Sequence, residues 1–174
     1  MDQAPAVDTL LPHAPPMQLL DAVLLSSVDW LVAGSSVELC RPLLGESPLP
    51  SLLGLELLAQ AAALYAGLAS APAAAGNRPE PGMLLGARRF EVATPAAAAE
   101  QLLVAVTRRS PLGRGGMAKF SGAVYALTAE QGTAVLAELR DASDAPAELT
   151  RTCAAARIAA GDLSVYLPAG AVKQ

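Results

Sequence analysis

Several residue types that carry protein chemistry are scarce in this sequence. Its 174 residues include one histidine, His13, two cysteines, Cys40 and Cys153, and only 3% aromatic residues. The cysteines match no metal-binding or redox spacing, so the sequence predicts no metal site. Charged residues make up 16% and the net charge is −4, which argues against a general nucleic-acid binder. The N-terminal stretch "MDQAPAVD" lacks a signal peptide, so a cytoplasmic location is expected.

Apolar residues are abundant instead, at 53%, and 174 residues suffice for one domain over residues 1–174 with a sizeable core. The longest apolar stretch, "LPSLLGLELLAQAAALYAGL" from Leu49 to Leu68, is long enough to cross a bilayer. However, Glu56 would then lie near mid-depth, at a cost of about 2.5–3.5 kcal/mol, and no cluster of lysine or arginine flanks the stretch. We therefore interpret residues 51–67 as a buried core helix and expect no membrane span.

Two polar side chains interrupt this apolar helix. Glu56 and Gln60 are four positions apart, so on a helix they lie on the same face, one turn apart. A carboxyl group in such surroundings is either part of a functional site or a structural group satisfied by a partner. The residues alone leave both interpretations open, and Tyr65, further along, is expected to be core.

The remaining sequence favours β-strands. Strand-like periodicity occurs in residues 82–92, 101–109, 117–128, 133–139 and 161–168, and turn-like stretches occur at residues 110–116 and 129–132. Before the helix, residues 17–39 predict a strand pair with a turn near Ser27 to Asp29. Residues 70–82 and 93–100 indicate loops, and residues 141–159 fit either a short helix or a loop.

Together these elements predict an α+β architecture, with one long helix enclosed by an antiparallel sheet. A helix that is apolar on all sides needs cover on every face, and one curved sheet leaves a side open. A second subunit is the natural cover, so a dimer is expected.

Four stretches carry a resemblance to a known family. They are "LLPHAPPMQLLDAV" (residues 10–23), the central helix stretch, "LLGARRFEV" (84–92) and "LSVYLP" (163–168). The first two resemble the bacterial 3-hydroxyacyl-acyl-carrier-protein dehydratases, and the last two are most similar to the dehydratases of aryl polyene synthesis. Their order and spacing over most of the chain make the resemblance fairly specific.

The resemblance implies a hot-dog fold, in which a curved antiparallel β-sheet wraps a long central helix, usually in a dimer with active sites at the subunit interface. It implies dehydration of a 3-hydroxyacyl-acyl-carrier-protein to a trans-2-enoyl thioester, in aryl polyene, polyketide or fatty-acid type synthesis. No cofactor is implied beyond the phosphopantetheine arm of the acyl carrier protein. Two alternatives stay open: a non-catalytic subunit of a heteromeric dehydratase, and an acyl thioesterase.

The resemblance also implies roles for particular residues. Glu56 stands at the family's catalytic carboxylate, Gln60 at its neighbouring glutamine, and His13 at the histidine of the "LPH" motif. Better-known members carry a catalytic histidine in a loop before the helix, but here that loop, "CRPLLGESPLPS", contains none. A histidine in a Pro-rich turn often has only a packing role, yet His13 is the sole imidazole available as a base.

Dehydration requires a base that removes a proton from C2 and an acid that protonates the departing hydroxyl. His13 is the candidate base, and apolar surroundings would favour the protonated form of Glu56 as the acid. Backbone N–H groups of Ser51 and Leu52, at the helix start, are candidate donors to the thioester oxygen. Gln60 and Gly86 are further candidates for substrate binding or support.

Positive charge is concentrated in the middle of the sequence. Seven lysines and arginines face three glutamates between residues 78 and 119, in a chain whose total charge is −4. Arg88, Arg89, Arg108 and Arg109 are therefore candidates for docking an acidic acyl carrier protein. Charged tips of solvated strands explain the same pattern equally well.

Overall fold

The computed structural model describes residues 6–44, 51–70, 81–93, 99–110 and 116–167. The helices are α1 Val7–Leu10, α2 Val37–Leu44, α3 Ser51–Ser70, α4 Ala129–Leu139 and α5 Ala145–Thr152, with a 3₁₀ turn at Ala154–Ala156. The strands are β1 Ala22–Ser26, β2 Trp30–Ser36, β3 Met83–Val92, β4 Gln101–Arg108, β5 Met117–Leu127 and β6 Arg157–Tyr166.

The six strands form one antiparallel sheet in the order β1-β2-β4-β5-β6-β3. Helix α3 packs on one face, which we call the inner face, and α4 and α5 cover part of the opposite, outer face. This arrangement is the hot-dog fold, so the expected α+β fold class is confirmed.

Strand β4 shows why these strands are apolar on both sides. Side chains alternate along a strand, so Leu102, Val104 and Val106 reach the inner core beside α3, while Leu103 and Ala105 reach the outer core. All five are buried. The segment that contains α4 and α5 thus gives the outer face a second, smaller core.

The N-terminal segment is held against the far end of α3. Helix α1 packs on α3, and a Cβ atom at Gly67 would overlap the carbonyl oxygen of Leu10. Glycine therefore allows the two backbones to approach closely at this point. The contact fixes the start of the segment that carries His13.

Helix α4 contradicts two of the sequence predictions. Residues 133–139 were expected to form a strand and residues 129–132 a turn, but both lie in one helix. The Thr128 hydroxyl accepts from the Gln131 backbone N–H, while the Gln131 side chain accepts from the Thr128 N–H, a capping box that starts the helix. Val135, Leu136 and Leu139 then lie at helical spacing against the outer core.

The strand pair before the helix is confirmed, together with its turn, in which Ser27 Oγ accepts from the N–H groups of Asp29 and Trp30. It ends at Ser36, and the expected strand residues 37–39 begin α2 instead. The C-terminal strand starts earlier than expected, at Arg157, and residues 145–152 form a helix. Most of the loops predicted at residues 70–82 and 93–100 lies outside the described residues.

Helix α3 runs to Ser70, three residues beyond its expected end. The window Leu52–Ala69 is long and apolar enough to cross a membrane, with mean hydropathy 1.6, but 61% of it is buried inside the fold. Tyr65 is buried as expected, and its hydroxyl donates to the carbonyl oxygen of Val28. Burial raises the pKa of Tyr65 above its ordinary value.

Candidate active site

His13 and Glu56 meet on the inner side of the fold. His13 Nε2 lies 3.8 Å from Glu56 Oε1, and their side chains are 32% and 36% exposed. This separation exceeds hydrogen-bond length, so the groups are neighbours without a direct hydrogen bond. Residues 43 positions apart in sequence thus offer an imidazole and a carboxyl group to one partly open site.

Gln60 joins Glu56 to the segment that follows His13. Its Nε2 donates to Glu56 Oε1 at 2.8 Å and to the Met17 carbonyl oxygen at 2.6 Å, and its Oε1 accepts from the Leu19 N–H at 2.9 Å. The residue is fully buried. Both ends of the amide are therefore satisfied, and the amide sets the position of one Glu56 oxygen relative to the N-terminal segment.

His13 precedes a tight turn in which the Met17 and Gln18 N–H groups bond to the Ala14 carbonyl oxygen. The peptide bond between Pro15 and Pro16 in this turn is cis. Nδ1 of His13 is buried and has no hydrogen-bond partner among the described residues. The ring nitrogen directed at Glu56 is Nε2, so a base at Nε2 requires its proton on Nδ1.

The other candidate supporting residues lie at the start of α3 and on strand β3. Helix α3 begins at Ser51, so the Ser51 and Leu52 N–H groups lie in its first turn, and Leu52 is four residues, about 6 Å of helix rise, before Glu56. The Leu52 side chain is 73% exposed. Gly86 lies on strand β3, and no heavy atom outside its immediate neighbours lies within 4 Å of where a Cβ atom would stand.

Of the arginines that are candidates for docking a carrier protein, Arg89 and Arg109 share a hydrogen-bonded network through Asp162 and Ser121, and Arg108 has a different partner. Arg108 pairs with Asp29 at 2.8 Å beside the β1–β2 turn. Arg89 pairs with Asp162, and Arg109 Nε donates to Ser121 Oγ at 2.8 Å. Arg88 is exposed on β3. Neighbours Arg108 and Arg109 thus have separate partners, in separate parts of the sheet.

The sequence matches the ApeP-like family, described as ApeP dehydratase, over residues 5–173. The chain belongs to the ApeP-like dehydratase family. Among solved structures, a chain of the dehydratase heterocomplex ApeI:P from Xenorhabdus doucetiae matches with a TM-score of 0.69 and 22% identity, covering 95% of this chain and 93% of that chain. No curated protein matches the sequence. The resemblance carried by the four motifs is confirmed.

Some contacts of the candidate site could be found only in the structure. The carbonyl oxygen of Met17 and the N–H of Leu19 hold Gln60, yet backbone groups leave no mark in a sequence. The signal for α4 was present in the pattern Thr128-x-x-Gln131, typical of a helix start. No motif in the sequence indicated that β5 pairs with β4 on one side and with β6 on the other.

Gln60→Met is expected to destabilise the fold by about 1–3 kcal/mol, the typical cost of a buried polar group left without a partner. Methionine keeps the side-chain length, but the buried Leu19 N–H loses its acceptor. Urea denaturation measures the loss. Gln131→Met removes an exposed capping contact and should cost about 1 kcal/mol or less. Equal losses in the two variants would contradict the buried amide link.

Proposed function

We propose that this ApeP-like protein is a 3-hydroxyacyl-acyl-carrier-protein dehydratase that forms a trans-2-enoyl thioester. The observation that supports it most is the 3.8 Å approach of His13 Nε2 to Glu56 Oε1. Dehydration needs a base and an acid beside adjacent carbons of one substrate, and this pair is close enough to serve both.

In the proposed mechanism, His13 Nε2 removes the proton from C2 and Glu56 protonates the hydroxyl that leaves C3. The C2–H electron pair becomes the C2–C3 double bond, the C3–O bond breaks, and water departs. His13 then holds one proton too many and Glu56 one too few. Transfer between Nε2 and Oε1 restores both groups, and their separation requires only a small movement.

The supporting groups have defined tasks in this proposal. Gln60 holds Oε1 of Glu56 at 2.8 Å and thereby limits its rotation. The first N–H groups of α3, at Ser51 and Leu52, lack intrahelical partners and would donate to the thioester oxygen as charge develops there. The substrate would arrive on the phosphopantetheine arm of an acyl carrier protein. Arg88, exposed on β3 and without an ion-pair partner among the described residues, is a docking candidate for that protein.

Purified protein incubated with a 3-hydroxyacyl-acyl-carrier-protein is expected to yield the enoyl thioester, detectable by mass spectrometry as a loss of water. Release of the free acid would instead identify a thioesterase. If no product forms, either alone or with a partner subunit, the dehydratase proposal is wrong.

We further propose that a second hot-dog subunit covers strand β3. This strand lies at the sheet edge, and its apolar side chains are open to solvent: Met83 is 58%, Leu84 40%, Leu85 50% and Val92 49% exposed. An edge strand also presents unpaired backbone groups that another strand can bond. The ApeI:P structure is a heterocomplex, which favours a different hot-dog chain as the partner, with a second copy as the alternative.

Leu85→Asp should therefore disrupt assembly, measured by light scattering after size-exclusion chromatography, with and without a co-expressed hot-dog partner. Its control is Val28→Asp in the β1–β2 turn, since Val28 is 76% exposed but lies away from β3. The wild-type assembly should bury more than the roughly 1,000 Å² expected of a specific interface. A wild-type protein that stays monomeric under both conditions would contradict the proposed cover.

A non-catalytic subunit is the second candidate function. It is favoured by the absence of a histidine from residues 40–51. Better-known 3-hydroxyacyl-acyl-carrier-protein dehydratases carry their catalytic histidine in the corresponding loop before the central helix. In that case the chain would support a catalytic partner, and changes at Glu56 would leave the activity of the complex intact.

A further inference from the structure

A shallow pocket lies on the outer face of the sheet, on the opposite side from the His13–Glu56 pair. It encloses about 220 Å³ between strands β4, β5 and β6 and the start of α5. Its floor includes Ala105, Ala123 and Ala160, which pair directly across the three strands. Because alanine is short, this row leaves a depression, which we call the alanine trough.

Polar side chains border the alanine trough on both sides. On one side, the residues two positions from each alanine are Thr107, Ser121 and Asp162, and the strand register places these three next to one another. On the other side, Tyr125, two residues from Ala123, pairs with Arg157, which is three residues from Ala160 because the register shifts at this point. Ser121 and Tyr125 are four residues apart on β5, so the two borders are separated by about 13 Å.

One border carries Arg109, whose guanidinium group reaches Asp162 through the Ser121 hydroxyl and not through a direct ion pair. Arg109 Nε donates to Ser121 Oγ, which donates in turn to Asp162 Oδ1, both at 2.8 Å. Asp162 is itself paired with Arg89, and the Ser121 hydroxyl and then this arginine lower the pKa of Asp162. Asp162 is thus paired directly with Arg89 and interacts with Arg109 at longer range, and no carboxylate of the described residues lies within 4 Å of Arg109.

The other border carries a weakly paired arginine. Arg157 Nη2 lies 3.7 Å from Oε2 of Glu91, a glutamate whose side chain is 75% exposed. Such an exposed pair contributes little and breaks readily. Asp144 also lines the pocket, but its Oδ1 already accepts from the Ala147 N–H at the start of α5. The pocket lining therefore contains two guanidinium groups, those of Arg109 and Arg157, and one carboxylate, that of Asp144, which caps α5.

We propose that the alanine trough binds a small organic anion, a short dicarboxylate or a phosphate ester, held by Arg109 and Arg157. Guanidinium groups match carboxylate and phosphate oxygens through paired hydrogen bonds. The trough is smaller than the ~300–1,000 Å³ typical of drug-sized ligand sites, so a compact anion suits it. The Thr107 hydroxyl could donate a further hydrogen bond to such an anion, and the alanine floor would accept a short carbon chain.

Titration of the full-length, isotope-labelled protein with succinate, and separately with inorganic phosphate, tests this site by NMR. At least one anion should give saturable shifts in the amide signals of Ala105, Ala123 and Ala160. Arg109→Gln and Arg157→Gln should each raise the dissociation constant about tenfold or more, the scale of one lost charge-assisted contact. Succinamide, the neutral analogue of succinate, should give no saturable shift.

Arg151→Gln is the matched control, because Arg151 is an exposed arginine on α5 that pairs with Glu148 and does not line the pocket. It should leave the dissociation constant unchanged. Absence of saturable binding by both anions, or equal weakening in all three variants, would overturn the proposal. The site lies on the opposite face of the sheet from the His13–Glu56 pair, so either outcome leaves the proposed dehydratase function standing.

Discussion

Glu56→Gln is expected to lower the rate of enoyl thioester formation by about 10²-fold or more, the usual scale for general acid–base catalysis. Glutamine keeps the size of the side chain and an oxygen that can accept from Gln60 Nε2, so the local packing is retained. It has no acidic proton to give to the departing hydroxyl. The melting temperature should change little, because the carboxyl group is 36% exposed and Gln60 remains satisfied by Met17 and Leu19.

Glu38→Gln is the matched control for this change. Glu38 is an exposed carboxylate on α2, 74% accessible and paired with Arg41, so its loss should leave the rate unaltered. Turnover is followed by mass spectrometry of the acyl carrier protein. Full activity of Glu56→Gln would remove Glu56 from the mechanism, and if that activity appears only in the complex with a partner subunit, it would favour the non-catalytic subunit. A similar loss in Glu38→Gln would point to a general effect on folding or carrier binding.

The central helix was the most predictable element because its signal is compositional. Almost every residue from Leu49 to Leu68 is apolar, and only a buried helix or a membrane span accommodates such a run. Helix α4 was harder, since residues 133–139, "TAVLAEL", alternate in a way that also fits a strand. The decision lies in tertiary packing: Val135, Leu136 and Leu139 cover an outer sheet face whose existence the local pattern does not reveal.

In the candidate site, too, local spacing predicted some contacts, and others depended on the tertiary structure. Glu56 and Gln60 could be placed on one helix face by spacing alone, and their hydrogen bond agrees with that. The approach of His13 depended on the family resemblance, because spacing does not relate residues 43 positions apart. The alanine trough depended on strand register, which brings Ala105, Ala123 and Ala160 into one row although they are far apart in sequence.

The surroundings of the arginines could not be predicted from the sequence for a related reason. Arg108 and Arg109 are adjacent in sequence, and a count of local charge treats them as one patch. Successive side chains near the end of a strand point to opposite faces, so Arg108 reaches Asp29 while Arg109 reaches Ser121. A charge excess along a strand therefore predicts a docking surface only when the facing of each residue is known.

His13→Ala is expected to reduce dehydration by about 10²-fold or more, like Glu56→Gln, because each group handles a different proton of the same substrate. The two groups act on one reaction coordinate, so the double variant should be scarcely slower than the more damaging single variant. His13→Asn, which keeps a polar side chain in the turn but cannot take up the C2 proton, should be as slow as His13→Ala. Single-turnover rates with a 3-hydroxyacyl-acyl-carrier-protein measure all four variants. If the His13 variants keep the wild-type rate while Glu56→Gln abolishes it, His13 is only a turn residue and the base comes from another chain or from water.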